Sequence, residues 1–198
     1  NSLLFNKIFR IHKKQLENLL VKNKKLIVCF SGIPGSGKTH ISKILEEKYQ
    51  AVRINNDNIR SVINKLAQEK SNRGDQKRQD ILQNYLIWFI KNYKYKNRLI
   101  ILDSSIDRTY NLINKVAREN GFNVFTIQIE LNDKMAVNRV IKRNDGKEDL
   151  HYTENIKRWI EENKKFSKKG KIDFVIVNNE RLDLSELFSK LDKLVYKE

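Results

Sequence analysis

"KLIVCFSGIPGSGKTHISKILEEKY", residues 25–49, decides the architecture. It opens on a continuous apolar run, "LIVCF", the pattern of a strand covered on both faces as in a parallel sheet. It closes on "ISKILEEKY", which has helical spacing. Between the two lies Gly32-x-x-x-x-Gly37-Lys38-Thr39. A glycine-rich turn between strand and helix lets successive backbone N–H groups point inward, and the helix adds its positive end. Such a nest holds phosphate. The candidate nucleotide contacts are Gly32, Ile33, Pro34, Gly35, Ser36, Gly37, Lys38, Thr39 and the next helix residue, His40. Lys38 reaches the β- and γ-phosphates as a mobile point charge, and the Thr39 hydroxyl is placed to ligate Mg²⁺.

Outward from this stretch, strands and helices alternate. "AVRIN", "RLIILD", "NVFTIQIEL" and "IDFVIVN" read as further strands. "DNIRSVINKLAQEK", "QKRQDILQNYLIWFIKNY", "RTYNLINKVAREN", "DKMAVNRVIKR", "ENIKRWIEENKKF" and "LSELFSKLDKLV" read as helices, with Gly121 as a stop signal. The fold class is therefore α/β with a five-stranded parallel sheet. Before the first strand, Leu4, Ile8, Ile11, Leu16, Leu19 and Leu20 give residues 1–24 the spacing of an amphipathic helix packed on the domain. Residues 25–198 form the domain itself, with a polar, turn-rich "NDGKEDLHYT" as a short lid at about 143–153. Trp88, Phe89 and the lone Cys29 are expected in the core.

Three further places carry chemistry. "LIILD" ends at Asp103, a carboxylate positioned to orient Mg²⁺ beside the loop. "RINNDNIR" sits where a strand ends and a helix begins, on the side where open α/β sheets bind ligands. Asp57 and Arg60, three apart, share a helix face. The carboxylate can accept a proton from an attacking hydroxyl, and the guanidinium can hold an anionic group of the acceptor. In "NRVIKRND", Arg139 and Arg143 are i, i+4 on a helix. One can stack on a purine while the other bonds phosphate oxygens, the neutralisation that phosphoryl transfer requires.

Together these residues resemble the P-loop kinases of the group that includes polynucleotide 5′-kinases, zeta-toxin-like sugar-nucleotide kinases, gluconate-type kinases and adenylylsulfate kinases. "GIPGSGKT" is similar to their donor loop, "NNDNIR" to their Asp-x-x-Arg acceptor motif, and "LIILDSS" to their third strand. "NRVIKR" is similar to the Arg-x-x-x-Arg that leads into the lid of adenylate-kinase-like enzymes. The resemblance runs from about Lys25 to about Val177. It implies a three-layer P-loop NTPase fold with strand order 2-3-1-4-5 and ATP·Mg²⁺ as phosphate donor. It also implies Asp57 as base, Arg60 as an acceptor contact, Arg139 near the adenine and Arg143 near the transferred phosphoryl group. Subfamily hallmarks differ: "NDGKEDLHYT" stands where adenylylsulfate kinases carry "KGLY". "DSSIDR" stands where nucleoside-monophosphate kinases carry "DGFPR", and "SVINKLAQ" lacks the His-Pro of zeta-type enzymes.

Composition bounds the partners. The chain has 198 residues, 39% hydrophobic and 32% charged, the make-up of a globular domain. No apolar run approaches the roughly 18 residues of a membrane span, so no membrane partner is expected. "NSLLFNKIFRIHKKQ" has no long apolar centre of a signal peptide, and a single Cys forms no internal disulfide; a cytoplasmic location is expected. The net charge of +16 fits a polyanionic partner. Yet the lysines are scattered and accompanied by abundant Asn and Ile, as biased coding composition would produce. The expected function is transfer of the γ-phosphate of ATP to a hydroxyl, with a polynucleotide 5′-OH as one acceptor and a sugar, nucleotide sugar or antibiotic as the alternative. A non-kinase ATPase or a nucleic-acid-binding protein is the competing class. For the last, Tyr93, Tyr95 and Tyr152 lie among lysines. A GTPase is disfavoured because Asn64-Lys65 and Asn114-Lys115 lack the Asp two positions on.

Overall fold

In the computed structural model, the apolar run of the quoted stretch is the central strand of a parallel sheet. This strand, β1, is Leu26–Ser31, and all of it is buried. The structure describes residues 4–10, 25–67, 76–92, 99–143, 150–179 and 182–196. The remaining strands are β2 (Val52–Asn55), β3 (Leu99–Ser105), β4 (Asn123–Glu130) and β5 (Phe174–Val177). They run in the order β2-β3-β1-β4-β5. Every pairing is parallel, so the expected order holds. Parallel neighbours cannot be joined by tight turns, and helices make the crossovers.

Residues 4–10 are helical and are labelled α1. The others are α2 (Lys38–Tyr49), α3 (Asn56–Ala67), α4 (Gln76–Asn92), α5 (Tyr110–Glu119), α6 (Asp133–Arg143), α7 (Leu150–Lys169) and α8 (Ser185–Tyr196). Strand alternation divides the core into two layers. Ile27 and Cys29 of β1 face a cluster built from α1, α3, α4, α5 and Phe166 of α7. Leu26, Val28 and Phe30 face the opposite cluster, closed by α2 and α8. The result is a three-layer α/β/α domain.

Of the expected N-terminal helix, α1 is in place, and residues 11–24 lie outside the described residues. Phe5 packs edge-on against Tyr85, and Phe9 edge-on against Trp88, at 5.8 Å between centroids in each pair. Trp88 and Phe89 are thus packing residues of α4 and not a stacking platform. Cys29 is a fully buried thiol whose pKa is pushed far up by burial, with the nearby Asp173 charge adding to it.

The helix expected from Glu154 starts earlier, at Leu150, inside the segment expected to be turn-rich. Residues 144–149 of the expected lid lie outside the described residues. At β3 the register against β1 shifts: Cys29 pairs with Leu102, but Phe30 pairs with Ser105. Asp103 and Ser104 therefore form a bulge beside the end of β1. Bulges bend a strand and re-aim its side chains, often at functional sites.

Candidate active site

The loop after β1 owes its shape to its glycines. Gly35 and Gly37 have φ of 82° and 106°, in the region where an L side chain is strained. A Cβ on Gly35 would lie 2.6 Å from the Ala136 carbonyl oxygen of α6, and one on Gly37 2.5 Å from Asn178 Nδ2. The loop is therefore clasped from the β5 side. Asn178, just beyond β5, donates from Nδ2 to the Ser36 carbonyl at 2.7 Å. Its own carbonyl accepts from Arg139 Nη2 at 3.1 Å. Arg139 thus reaches the residue beyond β5 that clasps the phosphate loop. The side chain of Arg143, its expected partner on α6, lies outside the described residues.

Lys38 Nζ donates to the carbonyl oxygens of Gly32 at 2.6 Å and Ile33 at 2.8 Å. Its ammonium is held across the mouth of the loop, where phosphate oxygens would compete for it. His40 is exposed on α2.

Thr39 Oγ1 donates to Asp103 Oδ1 at 3.1 Å, so the two expected metal ligands meet. A hydroxyl and a carboxylate side by side at the loop form a hard-oxygen pair suited to Mg²⁺. No group of three or more His, Cys, Asp or Glu side chains with metal-binding spacing occurs among the described residues. Mg²⁺ commonly keeps waters and phosphate oxygens as its remaining ligands, so this pair fits it.

Asp103 is more heavily tied than its sequence suggests. Its other oxygen, Oδ2, accepts from Arg53 Nη1 and from Asn55 Nδ2, both at 2.6 Å. Arg53 also donates from Nε to Glu46 of α2. Burial opposes the charge on Arg53, but the Glu46 hydrogen bond and the charges of Glu46 and Asp103 hold its pKa above the usual value. A guanidinium between two carboxylates keeps the buried Asp103 charge compensated.

Asn55 lies opposite Asp103 in the β2–β3 register. It immediately precedes α3, and Asp57 sits in the first turn of that helix. As expected, Asp57 and Arg60 share a face: Arg60 Nη1 donates to Asp57 Oδ1 at 2.7 Å. The Asp57 side chain is 80% exposed, open to an incoming molecule. β2 lies two strands from β1, so about 10 Å separates the two strand ends.

On the other flank, Asn163 of α7 donates from Nδ2 to Ser31 Oγ at 2.9 Å and to Asp107 Oδ2 at 3.0 Å. The bond to Ser31 ties α7 to the strand feeding the loop. Arg53, Asn55, Asn163 and Asn178 were not assigned roles from the sequence. Only Arg53 carried a signal, as a charge inside the strand "AVRIN". Tyr93 and Tyr95 lie outside the described residues, as does the side chain of Tyr152.

The AAA domain family model matches residues 27–163. Among solved structures, the chain is similar to one from the PezAT chromosomal toxin-antitoxin system of Streptococcus pneumoniae, with a TM-score of 0.65 and 14% identity. That match covers 100% of this chain and 89% of that one. The Mycobacterium tuberculosis APS kinase CysC, solved with AMPPNP and APS, matches with a TM-score of 0.56 and 14% identity, over 88% of this chain and 98% of that one. A chain of the Pnkp1/Rnl/Hen1 RNA repair complex matches with a TM-score of 0.57 and 18% identity, over 80% of this chain and 49% of that one. No curated protein shows significant sequence similarity. At these identities the likeness is one of fold, and the fold is that of the P-loop kinase group the sequence resembles.

Proposed function

The chain belongs to the AAA domain family, and from that premise we propose that it is an ATP-dependent kinase acting on a hydroxyl group. The observation that carries this reading is the grouping of Lys38, Thr39, Asp103 and Asp57 at the carboxyl ends of three adjacent strands. A loop that only binds nucleotide does not require an exposed carboxylate and guanidinium paired at the end of β2.

In this reading the nest of amides from Gly32 to Thr39 takes the phosphates of ATP, and Lys38 exchanges its two loop carbonyls for phosphate oxygens. Thr39 and Asp103 Oδ1 would hold Mg²⁺, which would supply positive charge against the phosphate oxygens. Arg139 flanks the purine. Arg143 supplies positive charge to the phosphoryl group in transit. Asp57 takes the proton of the acceptor hydroxyl as its oxygen bonds to phosphorus and the bond to the β-phosphate oxygen breaks, leaving ADP. Arg60 releases Asp57 to hold an anionic group of the acceptor.

The acceptor we favour is a polynucleotide 5′-OH. The openness of Asp57 leaves room for a polymer end, and the +16 charge suits a polyanion. The test is incubation with γ-labelled ATP and separate pools of 5′-OH RNA, 5′-OH DNA, nucleotides, sugars and aminoglycosides. Label in the nucleic-acid pools, with an acceptor KM that rises steeply with salt, is the expected result. Label confined to a small-molecule pool would transfer the assignment to that class. ATP turnover with every pool unlabelled would overturn the kinase reading.

A further inference from the structure

Asn55 ends β2 and is buried. Its Oδ1 accepts from the backbone N–H of Asp57 at 2.9 Å and of Asn58 at 3.0 Å. Its Nδ2 donates to Asp103 Oδ2 at 2.6 Å. The orientation of the amide is fixed by its partners, since two backbone donors need the oxygen and a carboxylate needs the N–H. With Arg53 on the same Oδ2, the Asp103 carboxylate is left with Oδ1 turned to Thr39.

A helix cap alone does not demand asparagine. Serine caps about equally well but is too short to reach a carboxylate on the neighbouring strand. Aspartate would cap as well, yet would set a second negative charge against Asp103. Only a carboxamide meets both demands at once.

We propose that Asn55 is a positioning residue that locks the acceptor half of the site to the donor half. One end fixes the first turn of α3, and with it the backbone that carries Asp57. The other fixes the Asp103 carboxylate that faces Thr39. The inference rests on the kinase reading above and adds to it a mechanical link between base and metal ligand. Such a link matters because misplacement by about 1 Å costs about 100-fold in rate.

Two variants separate the two ends of the side chain. Asn55→Ser keeps the cap and loses the Asp103 bond, and Asn55→Ala loses both. Hydrogen exchange at the Asp57 and Asn58 amides of the ligand-free protein reads the cap. The Mg²⁺ concentration for half-maximal binding of a fluorescent ATP analogue reads the Asp103 end, and kcat and acceptor KM read the whole.

For Asn55→Ser, amide protection stays at the wild-type level, the Mg²⁺ requirement rises about tenfold and kcat falls about tenfold or more, the scale of one lost bond to a charged group, with acceptor KM little changed. For Asn55→Ala, exchange at both amides also rises about tenfold, the scale of a lost cap. Asn55→Ser matching the wild type in both Mg²⁺ requirement and kcat would reduce Asn55 to a cap and overturn the proposal. Should the wild-type protein label no hydroxyl at all, the kinase reading falls separately. The Mg²⁺ dependence of analogue binding then still decides whether Asn55 positions Asp103.

Discussion

Arg53→Met should destabilise the protein by about 3 kcal/mol, because it leaves the Asp103 charge buried without its main partner. The Asp103 side chain is 1% exposed and that of Arg53 13%. Methionine preserves most of the packed stem, so little of the loss comes from a cavity. One charge-assisted bond to a buried carboxylate is worth about 2 kcal/mol, and the more exposed Glu46 contact adds about 1 kcal/mol. Urea denaturation checks the sum: at a slope of about 2 kcal/mol per molar, the midpoint falls by about 1.5 M. Asp103→Asn in the Arg53→Met background removes the charge that needs compensating. The double variant should therefore be more stable than the sum of the singles by about 2 kcal/mol, as expected for residues in one network. A loss below about 1 kcal/mol for Arg53→Met, or strict additivity in the cycle, would refute the claim that Arg53 compensates Asp103.

Gly37→Ala should cost about 1–2 kcal/mol of stability, from a side chain forced into the left-handed region, and should weaken ATP binding more than tenfold as Asn178 is pushed off the Ser36 carbonyl; denaturation and nucleotide titration measure the two effects. Stability should also fall above about pH 10. Burial, reinforced by Asp192, raises the Tyr49 phenol above its ordinary 10.0. Burial, reinforced by the Asp173 charge, raises Tyr110. The unfolded chain thus releases these protons first, so the contribution is complete below pH 10 and is lost as pH rises, at up to about 1.4 kcal/mol per unit for the buried Tyr49. Tyr49→Phe should flatten that fall in denaturation series from neutral to strongly alkaline pH, and an unchanged slope would count against it.

The fold was legible because local signals agreed with one another. "LIVCF" and "LIILD" are uninterrupted apolar runs, which suit strands covered on both faces and little else. The glycine spacing then fixed which turn joins β1 to α2. The start of α7 at Leu150 was hidden because "NDGKEDLHYT" reads as turn-rich, and a helical apolar stripe emerges only further along.

In the site, Thr39 and Asp103 were readable as separate motifs and do meet. The residues that join the motifs were not readable. Asn55 touches Asp103 across 48 positions of sequence, and Asn178 touches Ser36 across 142. Such bonds follow from strand register and from which element ends beside which, and no local pattern encodes either. The bulge at Asp103 is of the same kind, visible only when β3 is laid against β1.

The measurement that bears most directly on the central claim is single-turnover transfer of labelled γ-phosphate by the wild type and by Asp57→Asn, with ATP binding measured alongside. Loss of a general base should slow transfer by about 10²–10⁴-fold, while ATP affinity stays near the wild-type value. Transfer at the wild-type rate by Asp57→Asn would show that the carboxylate at the end of β2 takes no proton, and would contradict the account.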